Sequence, residues 1–551
     1  MMKTSLRPYQ DAACDMVLDR HNALIAYEMG LGKTVVSLAI MEELLGTEEG
    51  FLNAIVVPAN LKYQWLQEIA RHTDVPSQTK TINSNGEKIE ITIPTAEYAV
   101  VIDGSAAQRE KQLRYVLEHR PDYVVLGYEN VVNDWNLVRR IKPDLICLDE
   151  ATAIKTFKAQ RTKKIKRWNA EYRIALTGSP IENGKPEEIF SIMQWVDADV
   201  LGRFDLFDKA FITRNQFGGV LRYKNMPVLN AKLSTAMARK RRTDPDVAPF
   251  LPDVQEDTEW ISIDKKTRDV YRLIGEDLLK ALEIAAQKGM SDFDLFSHYH
   301  GGDSTSGSKE QGDIMARMQA LEMLLCHPAL IVESGKDYEH AQIQKAAGSQ
   351  KKTWPGSKYC YDLWQSGALD GLKSSPKLDA LISALDDLTG TPDNKIVVFS
   401  YYRRVGKFIA EVLADRGIKS TPYHGEMSPG EKVASVAKFR EDPETRVIIC
   451  SHAGAFGTDL NMANYLVNFD LPWSAGTMDQ INARHVRVSS KFEKVFILNM
   501  VCANTLEARK PEVLAFKRRT AEAVVDGRGS DRRGRIEKDV DSLTAYLHKT
   551  L

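Results

Sequence analysis

The run Glu28-Met29-Gly30-Leu31-Gly32-Lys33-Thr34 follows the apolar stretch Ala23–Tyr27 and precedes the amphipathic stretch Val35–Leu45. Glycines in such a place let the backbone close tightly around a phosphate, and successive N–H groups at a helix N-terminus face its charge. Met29, Gly30, Leu31 and Gly32 would form that cradle. Lys33 would reach the β- and γ-phosphates of ATP, and Thr34 would hold Mg²⁺. The full G-x-x-x-x-G-K-[ST] pattern is not met, because Tyr27 stands at its first glycine. A second apolar run, Leu145–Glu150, ends in the acids Asp149 and Glu150. At the carboxyl end of a buried strand, Asp149 can hold Mg²⁺ through its water shell, and Glu150 can polarise an attacking water. An acid pair at a strand end is common on its own. Together, in this order within one α/β region, they point to phosphoryl transfer. That chemistry needs positive charge on its transition state, where an arginine finger contributes ~10³–10⁵ in rate. The segment from Gln480 to Arg487 offers Arg484 and Arg487, three apart and so on one face of a helix.

A phosphate loop and an acid pair act only on a scaffold that holds them. Short apolar runs at Ala23–Tyr27, Asn53–Val57, Tyr98–Ile102, Tyr123–Gly127, Leu145–Asp149 and Tyr172–Leu176 alternate with amphipathic stretches such as Leu61–His72. Strands this apolar are covered on both faces, which predicts a parallel sheet with crossover helices. The rhythm returns at Lys395–Ser400, Arg446–Cys450, Tyr465–Asn468 and Val495–Met500, with helical patterns at Val405–Leu413 and Glu431–Arg440. The expected organisation is a first α/β lobe over 1–245, with a protrusion over about 185–245, and a second over 376–525. Between them, 246–375 reads as a helical linker with a flexible insertion, and 526–551 as a basic tail.

Hydrophobic residues make up 43% of the 551, enough for sizeable cores. No apolar run approaches the ~20 residues of a membrane helix. The opening MMKTSLRPYQDAACD has no apolar stretch after Lys3, so a secretory signal is not expected. The six cysteines lack zinc-like spacing, and buried free thiols in a reducing cytoplasm are expected. Bacterial or viral-host cytoplasm is the expected location, with the nucleus left open. The net charge of −1 offers no overall attraction to a polyanion, so a nucleic acid would be held by local patches. The best is the run from Lys158 to Arg167, which holds Arg161, Lys163 and Lys164, although a solvated helix face is the plainer reading of such a run. A second cluster, Arg239–Arg242, either packs against the lobe or touches phosphate, and Arg528–Arg535 is basic as well.

In order, the chain carries LRPYQ (6–10), EMGLGKT (28–34), VVPANLKYQWLQEIAR (56–71), DEATAIK (149–155), IALTGSPIENGKPEEIFSIMQWV (174–196), CHPALI (326–331), SSPKLDAL (374–381), KIVVFSYY (395–402), PYHGEMS (422–428), SHAGAFGTDLNMANYLVNFDLPW (451–473) and QINARHVR (480–487). This series resembles the Swi/Snf-type branch of the superfamily 2 ATPases, and LTGSPIENG and CHP are particular to that branch. The resemblance implies two RecA-like lobes with helical protrusions between them, and ATP and Mg²⁺ as cofactors. It implies that Gln10, with Arg7 beside it, reads adenine. Lys33, Thr34, Asp149 and Glu150 become the first lobe's catalytic residues, and Thr177, Gly178 and Ser179 couple hydrolysis to lobe movement. Gly457 and Asp459 match a motif near nucleotide and track. Gln480, Arg484 and Arg487 match one that brings arginines to the γ-phosphate across the cleft. Lys155 matches a family DNA contact, which makes the neighbouring basic run a candidate track. Ser451 and Trp473 are placed with it, the tryptophan against the DNA groove. The chain departs from the family at Tyr27, where Asp is usual, at DEAT for DEAH, at AGAFG for AGGLG, and at Val486, where histidine is typical.

The implied function is a motor that hydrolyses ATP while tracking on double-stranded DNA and remodels DNA or protein–DNA complexes. Two alternatives stay open. One is a helicase that separates or anneals strands, with single-stranded DNA or RNA as the track. The other is the ATPase subunit of a defence, restriction or repair assembly. A protein partner would supply targeting.

Overall fold

The computed structural model describes residues 1–47, 50–84, 87–214, 220–288, 309–347, 356–451, 460–487, 490–527 and 539–551. The first lobe's strands are β1 (Asn22–Tyr27), β2 (Asn53–Val57), β3 (Ser77–Ser84), β4 (Glu87–Pro94), β5 (Ala99–Ile102), β6 (Tyr123–Gly127), β7 (Leu145–Leu148), β8 (Tyr172–Leu176), β9 (Ile212–Arg214), β10 (Val220–Tyr223) and β11 (Met237–Lys240). Seven of them form one parallel sheet in the order β11-β1-β8-β7-β2-β6-β5. Side chains alternate across a sheet. Leu24, Ala54, Val56, Leu126 and Leu148 therefore enter one core, with Trp168 and Trp195. Ile25, Ile55, Val57, Val125 and Cys147 enter the other, with Val36 and Trp65. Each fully buried aliphatic side chain contributes on the order of 1.5–3 kcal/mol.

The six apolar runs expected in the first lobe all form strands. The expectation omits β11, which pairs with β1 from Leu24↔Met237 to Tyr27↔Lys240. Half of Met-Ala-Arg-Lys is charged, and an edge strand needs little apolar character. The antiparallel hairpin β3–β4 is likewise too polar to register as a strand pair.

The second lobe holds β12 (Asp253–Ile261), β13 (Ile396–Phe399), β14 (Lys419–Tyr423), β15 (Thr445–Cys450), β16 (Tyr465–Asn468) and β17 (Lys494–Cys502), all parallel, in the order β12-β17-β16-β13-β15-β14. This corrects the reading of 246–375 as a helical linker. Its strand β12 pairs with β17 from Asp253↔Lys494 to Ile261↔Cys502. The helices Lys265–Gln287, Lys309–Cys326, Ala329–Ala346 and Lys358–Gln365 are thus inserted inside the second lobe, between β12 and β13. The strand escapes notice because DVQEDTEWI is an acidic edge on which only Ile261 is buried. The C-terminal helix Asp539–Thr550 packs Leu543 and Leu547 onto the core of this insertion.

The helix Lys510–Val525 follows β17 and returns to the first lobe, where Val524 and Val525 join its core. Among the described residues, no helix is long and apolar enough to cross a membrane. All six cysteines are buried and unpaired.

Candidate active site

The strand β1 delivers the loop Glu28–Gly32 to the start of the helix Lys33–Leu45. Gly30 and Gly32 both have positive φ, 83° and 82°, a region only glycine enters without cost. A Cβ on Gly32 would also lie 2.3 Å from Gln10 Nε2, and one on Gly30 would lie 2.9 Å from the carbonyl oxygen of Val486. Gln10 Nε2 donates to the Leu31 carbonyl at 3.1 Å, while its Oε1 accepts from the Arg7 amide at 2.9 Å. Gln10 therefore braces the loop with one N–H and one lone pair of its amide. Arg7 itself lies over the Phe250 ring, 4.6 Å from its centroid. Tyr27 takes up structural work at the position of the missing glycine. Its hydroxyl donates to the Tyr9 carbonyl, and the Tyr9 hydroxyl donates to Leu31 O at 3.1 Å.

The acids stand where β7 ends. Trp65 Nε1 donates to Asp149 Oδ2 at 2.8 Å, and the Glu150 amide donates to Asp149 Oδ1 at 3.0 Å. Tyr128 fixes the turn by donating to Asp149 O at 2.8 Å. Glu150 has a φ of 51°, a left-handed conformation that costs a non-glycine residue on the order of 1–3 kcal/mol and is concentrated at functional sites. Burial raises the Asp149 carboxyl against the pull of Trp65 and Lys33. Burial and the Asp149 charge push Glu150 up to about 7, against Lys33 and Arg484. Lys33 donates to Tyr27 O at 3.0 Å. Burial lowers its ammonium to about 8, with Arg487 and Arg484 adding to the fall and Glu150 and Asp149 opposing it. The second lobe thus reaches the first electrostatically.

It also reaches it by contact. Gln480 Nε2 lies 3.5 Å from Glu150 Oε2, from the helix Ala475–Asn482. Arg484 and Arg487 do not share a helix face, which corrects that expectation. The helix ends at Asn482, and the arginines lie in the turns beyond it, fixed by Arg484 N to Ile481 O at 3.1 Å and Leu460 N to Arg484 O at 3.1 Å. The turns carry Val486 and Arg487 onto Gly30. Gly178, after β8, closes the floor. A Cβ there would lie 2.7 Å from Met29 Cγ and 3.5 Å from Lys33 Nζ, and the Ser179 amide donates to Thr177 Oγ1 at 3.2 Å. Thr34, second in its helix, and Asp149 offer the oxygen donors that Mg²⁺ prefers. No cluster of three or more potential metal-ligating His, Cys, Asp or Glu side chains occurs among the described residues. A cation here would therefore rely on water and phosphate oxygens as well. Gly457 and Asp459 lie outside the described residues.

A family profile described as the SNF2-related domain matches residues 9–330, and one described as the helicase conserved C-terminal domain matches residues 376–489. The chain belongs to the SNF2-related family. It is an ATP hydrolase of the helicase and translocase type. A Bacillus subtilis protein described as an uncharacterized ATP-dependent helicase is 23% identical over 548 residues, covering 99% of this chain and 83% of that protein. The human SWI/SNF-related matrix-associated actin-dependent regulator of chromatin subfamily A member 1 is 23% identical over 531 residues, covering 94% of this chain but 44% of that protein. The chain thus spans less than half of that relative. Among solved structures, the Pyrococcus furiosus Hef helicase domain matches with a TM-score of 0.51 at 20% identity, covering 92% of this chain and 97% of that one. A Sulfolobus solfataricus SWI2/SNF2 ATPase core in complex with dsDNA matches with a TM-score of 0.40 at 21% identity, covering 100% and 97%. The fold is two RecA-like lobes with flanked parallel sheets.

Not every residue matched to an SNF2-related DNA contact is available for that role. Trp473 is fully buried, its Nε1 donating to Glu322 Oε1 at 2.9 Å and the Lys510 ammonium 5.1 Å from the ring. A groove contact is thereby corrected to a core residue, because the inserted helices cover the indole. Lys155 pairs with Glu182, Arg161 pairs with Glu129, and Lys164 donates to Val132 O at 2.8 Å. Lys158 and Lys163 are exposed. Ser451 is buried beside a cavity of about 390 Å³ lined by Ser400, Arg403, Lys407 and His424. The cluster Arg239–Arg242 packs against the lobe. Arg239 holds Ala26 O at 2.8 Å and Glu28 Oε1 at 3.2 Å, Lys240 holds Asp246, Arg241 holds Asp244, and Arg242 holds Met29 O at 3.1 Å. Trp65 and Tyr128 are site residues that sequence reading missed, and Arg239 and Arg242, singled out there for packing or DNA, were not tied to the phosphate loop. A helical tryptophan and a basic cluster carry no local mark of an acid or loop they meet only in three dimensions.

Proposed function

We propose that this SNF2-related chain is a motor that tracks on double-stranded DNA and remodels DNA or protein–DNA complexes as it hydrolyses ATP. The observation that carries the reading is the division of the catalytic set between the lobes. Lys33, Asp149 and Glu150 stand on one, and Gln480, Arg484 and Arg487 on the other, so turnover requires closure and product release permits reopening. In the closed cleft, Glu150 near neutrality suits a general base that orients water. Lys33 and the two arginines would face the negative charge of the transferring phosphoryl group. Thr34 and Asp149 would hold Mg²⁺, which neutralises phosphate charge when bound. Lys158 and Lys163 offer exposed charge near the acid loop for a phosphate backbone, a contact that gives affinity without sequence reading. The names of the relatives, an ATP-dependent helicase and a regulator of chromatin, support the same reading.

The test is steady-state ATP hydrolysis without nucleic acid and with duplex DNA, single-stranded DNA or RNA, beside Lys33→Ala. Stimulation by duplex DNA, lost in the variant, is expected. Stimulation mainly by single strands or RNA would replace the reading with a strand-separating helicase. Displacement of a triplex strand without unwinding of a fork is the second expected result.

A further inference from the structure

The acid loop leads into a turn that exposes an aromatic ring. After the short helical turn Ala151–Ile154, the chain bends at 156–159, where the Ala159 amide donates to Thr156 O at 3.1 Å and the Thr162 hydroxyl donates to the same oxygen at 2.8 Å. Phe157 and Lys158 are the two central residues of that bend, so both side chains project from it. Phe157 is 50% exposed. Its ring centroid lies 6.3 Å from that of Phe204, with 19° between the planes. Phe204, 39% exposed, opens the helix Phe204–Phe211 and rests in turn on the buried rings of Phe190 at 5.2 Å and Phe207 at 6.2 Å. Two near-parallel rings are thus held at the surface, one by a fixed turn and the other by the core beneath it.

A single exposed apolar side chain needs no explanation, but two large rings presented together mark a surface that a ligand covers. The charge around them indicates which ligand. Lys158 is exposed and forms no ion pair among the described residues, and Lys163 and Arg167 are exposed on the same basic run. Lys209 is exposed on the helix that carries Phe204. The carboxylates of that helix are already paired, Asp205 with Arg203 Nε at 3.0 Å and Asp208 with Arg214 Nη2 at 2.6 Å. An uncharged protein surface would have no use for the cations. A nucleotide uses both features, because every base has a π face to stack on a ring and every phosphate a charge to meet a lysine.

We propose that Phe157 and Phe204 form a stacking platform for unpaired nucleobases, with Lys158 meeting the phosphate beside them. Single-stranded ends, gaps and junctions are the parts of a nucleic acid that present such bases. The platform reads no sequence, since stacking accepts any base. The inference rests on the reading of this chain as a nucleic-acid motor and adds to it a second kind of ligand, the base freed from its pair.

The experiment measures Kd by fluorescence anisotropy for three DNAs. They are a blunt duplex, the same duplex with a single-stranded overhang of about ten nucleotides, and that overhang built from abasic sites, which keep the phosphates and lose the bases. Truncating a ring beneath a stacked base weakens binding roughly 5- to 150-fold. Phe157→Ala is therefore expected to weaken binding of the base-bearing overhang about tenfold and to change the other two by less than about twofold. Phe157→Tyr should keep wild-type affinity, and Phe157→Leu, apolar but without a π face, should behave as alanine does. Lys158→Ala should weaken all three alike and lower the log–log salt slope by about one unit, as loss of one phosphate contact does. An unchanged affinity of Phe157→Ala for the base-bearing overhang, an equal loss on the abasic one, or full binding by Phe157→Leu would overturn the proposal, the last because it would show an apolar docking surface rather than a stacking one. Phe204→Ala repeats the comparison from the other ring, with melting temperature checking that the chain stays folded without it. A wild type that binds none of the three DNAs would remove the nucleic-acid reading itself, whereas one that grips the blunt duplex with no preference for the base-bearing overhang would remove the platform alone.

Discussion

Replacing Glu150 with glutamine should make the protein more stable and nearly inactive. Burial beside Asp149 lifts the Glu150 carboxyl from 4.5 to about 7. Each unit corresponds to ~1.36 kcal/mol, so keeping Glu150 ionised above neutrality costs the folded chain about 3 kcal/mol. Between pH 4.5 and about 7 the folded chain keeps a proton that the unfolded chain has released. Wild-type stability therefore falls as pH rises through that window and is level above it, as far as this group is concerned. The amide of Glu150→Gln has no charge to desolvate, but a buried amide with imperfect hydrogen bonds costs ~1–2 kcal/mol of its own, so a net gain of about 1–2 kcal/mol is expected. For lobes of this size that is a rise of a few degrees in melting temperature. Differential scanning calorimetry without nucleotide, from about pH 5 to about pH 8, should show the variant's advantage appearing as pH rises. Hydrolysis should fall by ~10²–10⁴ as the base is lost. A variant that melts at or below wild type at the upper pH, or whose advantage does not change with pH, would refute the idea that a desolvated carboxylate is held in the cleft.

Arg484→Ala should keep ATP affinity within a few-fold and cut kcat by ~10³, because its charge matters only as the phosphoryl group transfers. Near-normal turnover would show that its guanidinium does not face the nucleotide. Lys158→Ala combined with Lys163→Ala should flatten the dependence of duplex-DNA affinity on salt by about two units of log–log slope, and a flat dependence in the wild type would sink the basic track. Trp473→Phe should cost ~1–3 kcal/mol of stability, from the lost indole hydrogen bond to the Glu322 carboxylate, which keeps the Lys510 ammonium at 2.6 Å, and leave DNA affinity unchanged. Weaker DNA binding at unaltered stability would return Trp473 to the groove.

The candidate nucleotide site was legible because its chemistry is contiguous. A phosphate loop must join a strand to a helix, and an acid pair must end a buried strand, so Lys33, Asp149 and Glu150 were placed from local pattern alone. The arginines show the limit of that reasoning. Their spacing suggests a helix face, yet the helix stops at Asn482, and it is the Ile481–Arg484 and Leu460–Arg484 backbone bonds that turn them toward Gly30. Strand β12 marks a second limit. Apolar alternation reports burial rather than strand conformation, so an acidic edge strand stays invisible until its partner is known.

The basic clusters show why composition alone could not locate the track. Counting lysines and arginines finds positive charge, but an external polyanion responds only to charge left unneutralised. Arg239, Lys240 and Arg241 each meet a carboxylate within the chain, and Arg242 meets the loop carbonyl of Met29. Within the run from Lys158, Arg161 meets Glu129, and Lys164 meets a backbone carbonyl. Asp244 and Asp246 lie a few residues on, but Glu28, Asp526, Glu129 and the Met29 and Val132 carbonyls come from other segments, so no window along the sequence shows how much charge is left. Of the two roles for which the cluster Arg239–Arg242 looked equally suited, DNA or packing, it takes packing, and what it packs against is the phosphate loop. The cluster's first arginine bonds both Asp526, just after the helix Lys510–Val525, and Glu28 of the phosphate loop. Within the run 158–167, Lys158, Lys163 and Arg167 are exposed, and the removal of the two lysines is accordingly the sharper test of the track.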